Sequence, residues 1–289
     1  MIRKLLAGAL VSICALNVHA EISDYEDING NNPRFDEYYT VSTQSPTNHH
    51  EAPENRIDPW VAAQELFDSS AVIGEIKAAV ISLLHFDHHN EDYGNVGQPY
   101  NRKSHFGGWI YPSHDNSCLN TRGLVLARDS SIPVTMNSSG CSVVSGQWAE
   151  PYTGKTVTQA SEIQIDHFVP LKNAYVSGAH KWNYSKRCLY ANFMGNNFQL
   201  LATDGPENMR KSDNTPERYM PPNRAYSCQY LAQWLKVKLI WDLGLTPPEK
   251  QIVENLVQQN HCDPKQFQYT VSELQTQKRL MADNANLCH

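Results

Sequence analysis

Asp166 and His167 stand side by side at the head of the run Asp-His-Phe-Val-Pro-Leu. Further on, Asn196-Asn197-Phe198-Gln199-Leu200-Leu201 is followed by Asn208-Met209-Arg210-Lys211-Ser212-Asp213. Asp166 and Asn208 offer hard oxygen donors, which suit Mg2+ with several retained waters better than zinc. His167 carries an imidazole that titrates near neutrality, so it can take a proton from water. A base beside one Mg2+ fits phosphodiester hydrolysis. The base generates the nucleophile, while the cation neutralises charge on the phosphorane and the departing 3′ oxygen. Arg122 is a candidate contact to the scissile phosphate, since a guanidinium fork matches phosphate oxygens. Arg128 and Asp129 read equally well as a structural ion pair. A second Asp-His pair, Asp87-His88, lacks the downstream parts and reads as a surface loop.

These groups act together only if the chain gathers them. The period-two run 162–166 predicts a strand that delivers Asp166 and His167 to its end, and 198–202 predicts a second strand. Asp204 or Gly205 can cap a short helix with Pro206 in its first turn, from which Asn208 faces back across the hairpin. Apolar residues three and four apart predict helices within 58–85, near 226–243, 249–260 and 271–283. Short β-runs are expected at 123–127, 142–144 and 163–165, between Gly, Pro and Ser clusters. The class expected is α+β with mostly local β-structure.

In three parts, Asp-His-x-x-Pro, Asn-x-x-Leu and Asn-x-x-Lys-x-Asp, the sequence resembles the HNH (ββα-metal) endonucleases. Asp-His-x-Val-Pro-Leu resembles the secreted branch of that family and the C-terminal domain of GmrSD-type restriction enzymes. Phe106-Gly107-Gly108-Trp109 and Pro151-Tyr152-Thr153-Gly154 continue the likeness, which spans about residues 100–240. The resemblance implies a ββα-metal core inside a disulfide-stapled, helix-rich single domain. It implies His167 as the general base, Asp166 and Asn208 as ligands of Mg2+ (with Mn2+ able to substitute), and Asn197 as the brace of the loop that carries the base. Lys211 falls where a phosphate contact or a partner of the metal ligand is expected. Asn208 in place of a final histidine disfavours tight zinc or nickel binding. Between the two strands, residues 172–195 hold Lys172, Lys181, Lys186 and Arg187 and no acid, interleaved with Tyr175, Trp182, Tyr184, Tyr190 and Phe193. Lys181 and Arg187 are therefore candidate phosphate contacts beside Lys211, and the aromatics suit either stacking on bases or packing the core.

The whole chain has 289 residues and a formal charge of −6, which by itself does not suggest a nucleic-acid binder. The acidity is local. Residues 21–70 hold eleven acids against two arginines, a charge of −9, and residues 71–289 come to +1. Residues 1–20 have the basic, apolar, small-residue layout of a secretory signal peptide, so a secreted or periplasmic protein is expected, with no membrane contact after cleavage. Residues 21–55 read as an acidic, disordered leader, 56–99 as a helical region and polar loop, 100–245 as the nuclease domain and 246–289 as a helical extension. Outside the signal segment lie Cys118, Cys141, Cys188, Cys228, Cys262 and Cys288. An even number in an exported chain reads as three disulfides; fifteen pairings are open, and nearest neighbours (118–141, 188–228, 262–288) are the simplest expectation. The partner expected is a nucleic acid, DNA first and RNA second, with no recognition element for sequence and no protein partner evident. The alternative is a secreted, non-catalytic binding protein for a nucleic acid or another partner, built on the same scaffold.

Overall fold

The computed structural model describes residues 80–85, 98–112 and 118–288. The leader, the signal segment, most of the 58–85 helical prediction and Asp87-His88 lie outside them. The described part of that prediction is different. Val80–Ser82 forms β1, an edge strand whose partner comes from the far end of the chain. The β-branched Val80 and Ile81 find backbone partners there, and this tertiary pairing overrides the local helical spacing.

α1 (Arg102–Phe106) starts at Asn101, whose side chain accepts from the Ser104 amide. α2 (Thr121–Asp129) is capped in the same way by Asn120. It replaces the β-run expected at 123–127. Gly-Leu-Val-Leu-Ala is a short continuous apolar run that fits strand or helix alike, whereas buried Thr121, Val125 and Arg128 follow helical spacing. β2 (Thr135–Met136), β3 (Val143–Ala149) and β4 (Thr156–Gln159) then form an antiparallel meander.

β5 (Ile163–His167) leads through α3 (Leu171–Val176) and α4 (Tyr184–Asn192) to β6 (Leu200–Asp204), its antiparallel partner. Ile165 lies opposite Ala202, and His167 opposite Leu200. α5 (Gly205–Lys211) follows at once, capped by Asp204 with Pro206 in its first turn. Strand, strand and helix thus come in the expected order, with β6 two residues later than the sequence pattern suggested. β5 and β6 bury Ile163, Ile165, Leu200 and Ala202 against Val125, Leu126, Trp148 and Val157. That wedge fixes the hairpin's register, because a one-residue slip would turn the apolar set outward.

A larger core surrounds α6 (Ser227–Ile240), in which Leu231, Trp234, Leu235, Val237 and Leu239 are all buried. A helix apolar on nearly every side belongs inside a protein. Its Lys238 is also buried, paired with Glu249 at 2.9 Å. α7 (Pro247–Gln259), β7 (Gln268–Thr270) and α8 (Val271–Asp283) complete the chain, and β7 pairs with β1. The architecture is α+β.

Three disulfides are present, Cys118–Cys141, Cys188–Cys288 and Cys228–Cys262. Only the first matches nearest-neighbour pairing. Cys228 opens α6 and meets the turn after α7, so Cys188 on α4 is left to join the C-terminal Cys288. Spatial packing of α6 on α7 decides this, and sequence distance does not report it.

Candidate active site

Successive strand residues point to opposite faces, so Asp166 and His167 leave β5 in different directions. Asp166 turns toward α5. Its Oδ1 accepts from Lys211 Nζ at 2.9 Å, and its Oδ2 accepts from the Tyr152 hydroxyl at 2.6 Å. Lys211 Nζ also donates to the His167 carbonyl at 3.1 Å, and no part of this lysine reaches solvent. Burial pushes the Asp166 carboxyl up and the Lys211 amine down, while their contact draws each the other way. Buried Glu150 accepts from the Tyr152 and Thr153 amides and so sets the turn that aims the phenol.

His167 turns toward α4, where its Nε2 lies 2.9 Å from the carbonyl oxygen of Ala191. A carbonyl only accepts, so Nε2 carries the proton and Nδ1 keeps a free lone pair. Among the described residues Nδ1 has no hydrogen-bond partner. The Trp109 ring stacks on the imidazole, 5.0 Å between centroids and 5° from parallel. Neighbouring Asn192 ties both supports together: its side chain accepts from the Ile110 amide and the Thr121 hydroxyl and donates to the Gly108 carbonyl. Burial pushes the His167 pKa down to about 3 against the opposing pull of Ala191, with the charges of Arg102 and Lys211 adding to the fall. At neutral pH the ring is therefore uncharged; it does not titrate near neutrality as its residue type alone suggests, and burial makes it a weaker base than a free imidazole.

Both side chains still meet at one opening. A cleft of about 480 Å³ is lined by Arg102, Asp166, His167, Lys172, Asn208 and Asp213. Asn208 donates from Nδ2 to Gln164 Oε1 at 3.0 Å, which leaves its Oδ1 uncommitted among the described residues. Each Asp166 oxygen accepts one hydrogen bond and keeps a further lone pair. Two hard oxygen donors on one cleft fit a divalent cation that retains most of its waters. No group of three or more His, Cys, Asp or Glu side chains gathers among the described residues, so water would supply the remaining ligands.

The C-terminal domain of GmrSD restriction endonucleases matches residues 128–250. A secreted, uncharacterized protein of Arthroderma benhamiae is 42% identical over 157 residues, covering 54% of this chain and 73% of that protein. The chain belongs to the GmrSD C-terminal domain family. No solved structure matches it. The GmrSD-type span contains Asp166, His167, Asn208 and Lys211, whereas Arg102, Trp109 and all of α8 lie outside it.

The other residues singled out from sequence have different places. Asn197 is exposed and lies away from the cleft, beside Arg128 and Gln233. The brace is its neighbour Asn196, whose Oδ1 accepts from the Phe198 and Gln199 amides at 3.2 and 2.8 Å. Arg122 spends its guanidinium on the carbonyls of Ala160 and Ile163, at the end of β5 remote from His167. Arg187 holds the carbonyls of His105 and Trp182, so its fork anchors α4 to α1. Lys211 serves as the partner of Asp166, buried beyond reach of a phosphate. Lys181 is exposed but lies off the cleft. Arg128 makes the structural pair with Asp129 at 2.6 Å.

Sequence reading missed one cleft cation and left another, Lys172, as one among several basic residues of 172–195. Arg102 is exposed on the first turn of α1, with its guanidinium 5.9 Å from the Trp109 ring centre. Lys172 stands on the rim in a 2.6 Å pair with Asp213. The Asn101-Arg102-Lys103 run was a signal for the first, since a capping Asn directly before two cations puts them on a helix N-terminus.

Proposed function

We propose that this chain is an exported endonuclease that hydrolyses phosphodiester bonds, of DNA first and RNA second, with little sequence preference. Its ββα-metal core would be β5, β6 and α5, within a nuclease domain of residues 100–245. The observation that carries this reading is the geometry of His167: its Nε2 faces the Ala191 carbonyl, its Nδ1 has no hydrogen-bond partner among the described residues, and the residue lines one cleft with Asp166, Asn208 and Arg102. The match to GmrSD restriction endonucleases supports it independently.

Asp166 and Asn208 would hold Mg2+, or Mn2+ in its place. When bound, that ion supplies neutralisation of charge on the phosphate and the departing 3′ oxygen. The remaining work falls to the chain. His167 takes the proton of the attacking water at Nδ1, and the Ala191 carbonyl steadies the imidazolium that results. Trp109 holds the ring plane. Lys211 and Tyr152 hold the Asp166 carboxylate in one orientation. The exposed Arg102 attracts the phosphate backbone, a contact that carries no base readout and weakens with salt, while the rim Lys172 is held by Asp213. The secreted Arthroderma relative, the disulfides and the layout of residues 1–20 support export, and among the described residues no helix is long and apolar enough to cross a membrane.

Residues 21–289 incubated with supercoiled plasmid and with RNA test this reading, with Mg2+, with Mn2+ and with EDTA. Nicking that needs the metal is the expected result. An oxidised, folded chain inert on both nucleic acids with either metal overturns it. One observation favours the binding-scaffold alternative: both Asp166 oxygens are already engaged by protein donors. That alternative predicts no rise in melting temperature with Mg2+ or Mn2+, whereas the nuclease reading predicts a rise that grows with metal concentration.

A further inference from the structure

The support behind His167 extends well beyond the matched domain. Ala191, whose carbonyl fixes the ring, sits in the last turn of α4, one turn after Cys188. Cys188 is bridged to Cys288 at the end of the described chain. The loop that leaves α4 is held from the same direction. Gln277 of α8 donates from Nε2 to the Gly195 carbonyl at 3.0 Å and accepts at Oε1 from Asn196 Nδ2 at 2.9 Å. Asn196 in turn caps the Gln199 amide. Gln199 closes the circuit: its Nε2 donates to the Tyr190 carbonyl at 2.7 Å, and its own carbonyl accepts from the Phe168 amide at 2.9 Å. Phe168 follows His167 in the chain, and Tyr190 precedes Ala191. One residue therefore joins, through its backbone carbonyl and its side chain, the peptide after the base to the peptide before the carbonyl that orients it.

We propose that Gln277, together with the Cys188–Cys288 bridge, is a positioning device for His167, so that the C-terminal segment 271–288 is part of the active-site architecture. The proposal rests on the reading of His167 as the base. Gln277 touches neither substrate nor the reacting atoms. It acts through Asn196 and Gln199, which set the Ala191 carbonyl at hydrogen-bonding distance from Nε2. The bridge pins α4 one turn upstream, so the carbonyl is held from both sides of its peptide. Without these anchors the last turn of α4 can shift although Arg187 still ties the helix to α1, Nε2 loses its acceptor, and the proton is free to move to Nδ1. A ring protonated on Nδ1 cannot accept the water's proton there.

The test compares wild type with Gln277→Met, which keeps the side chain's bulk and removes both hydrogen bonds, and with Cys188→Ala/Cys288→Ala. Gln277→Glu keeps the acceptor for Asn196 and loses only the donor to Gly195, so it is the mild variant should the others fail to fold. Cys118→Ala/Cys141→Ala is the control, because that bridge lies away from the cleft. The ¹⁵N signals of the His167 ring report the tautomer directly, and steady-state plasmid cleavage reports kcat and KM. The expected result is a ring population shifted toward Nδ1–H in Gln277→Met and in the 188/288 variant. kcat falls by about 10-fold or more, as when outer supports of a reacting group are removed, with KM within about twofold. Gln277→Glu falls in between, and the control matches wild type. Folded variants with the wild-type ring signature and wild-type kcat overturn the proposal. If wild type cleaves nothing while the ring signature shifts as described, the positioning role stands and the nuclease reading falls.

Discussion

At the scale of single residues, Lys211 and His167 both gain their character from burial. Lys211 Nζ has one carboxylate and one carbonyl around it and no contact with solvent. Removing one member of a buried ion pair strands the other, which typically costs about 3–5 kcal/mol. Lys211→Met is therefore expected to lower unfolding stability by about that amount in urea denaturation. A phosphate-binding lysine would instead leave stability within about 0.5 kcal/mol and raise KM. His167 gives a pH signature of definite sign. Free histidine titrates near about 6.5, whereas the buried ring holds out to about 3. Between those values the unfolded chain binds a proton that the folded chain refuses, so stability is whole above the upper value and drains as pH falls through the window. In EDTA, melting temperature should drop with acid across this range, and His167→Gln should flatten the drop. An unchanged slope in the variant would place the acid sensitivity elsewhere.

Among the elements, the hairpin and its helix were legible because their signals are local. Alternation across 162–166 gave β5, and Asp204 with Pro206 behind it gave the start of α5. Asp204 accepts from the Glu207 amide at 3.0 Å, so Asp204→Ala should cost about 1 kcal/mol. It should also loosen Asn208 in the first turn of that helix. Chemical denaturation checks the first effect, and a smaller metal-induced rise in melting temperature checks the second. Elements whose partners are distant were not legible. Val80–Ser82 is a strand only because Gln268–Thr270 lies beside it. The 123–127 run is short and apolar enough to pass for a strand until the Asn120 cap is taken into account. The site shows the same division. Asp166, His167 and Asn208 follow from a local pattern, and all three line the cleft. The basic residues Arg122, Arg187 and Lys211 do not. Each cation has a protein acceptor that the fold supplies from far along the chain, and cation count alone cannot separate a satisfied guanidinium from a free one.

The whole molecule is closed by its longest links. Cys188–Cys288 spans 100 residues, against 23 for Cys118–Cys141. Chain-entropy reasoning gives about 4–5 kcal/mol for the longer loop and about 3 kcal/mol for the shorter. Removing the 188–288 pair should thus cost the greater stability, as read from denaturation midpoints of the two double-alanine variants. Equal losses would mean that the unfolded chain is already constrained near its C-terminus. The same long link reaches the helix that orients His167, which joins stability and chemistry in one contact. The proposed function turns on His167 as the base of a phosphodiesterase. A time course on supercoiled plasmid with Mg2+, comparing oxidised wild type with folded His167→Ala, tests it most directly. Nicking by wild type and loss of at least about 100-fold in the variant are expected. Equal rates in the two proteins would contradict it.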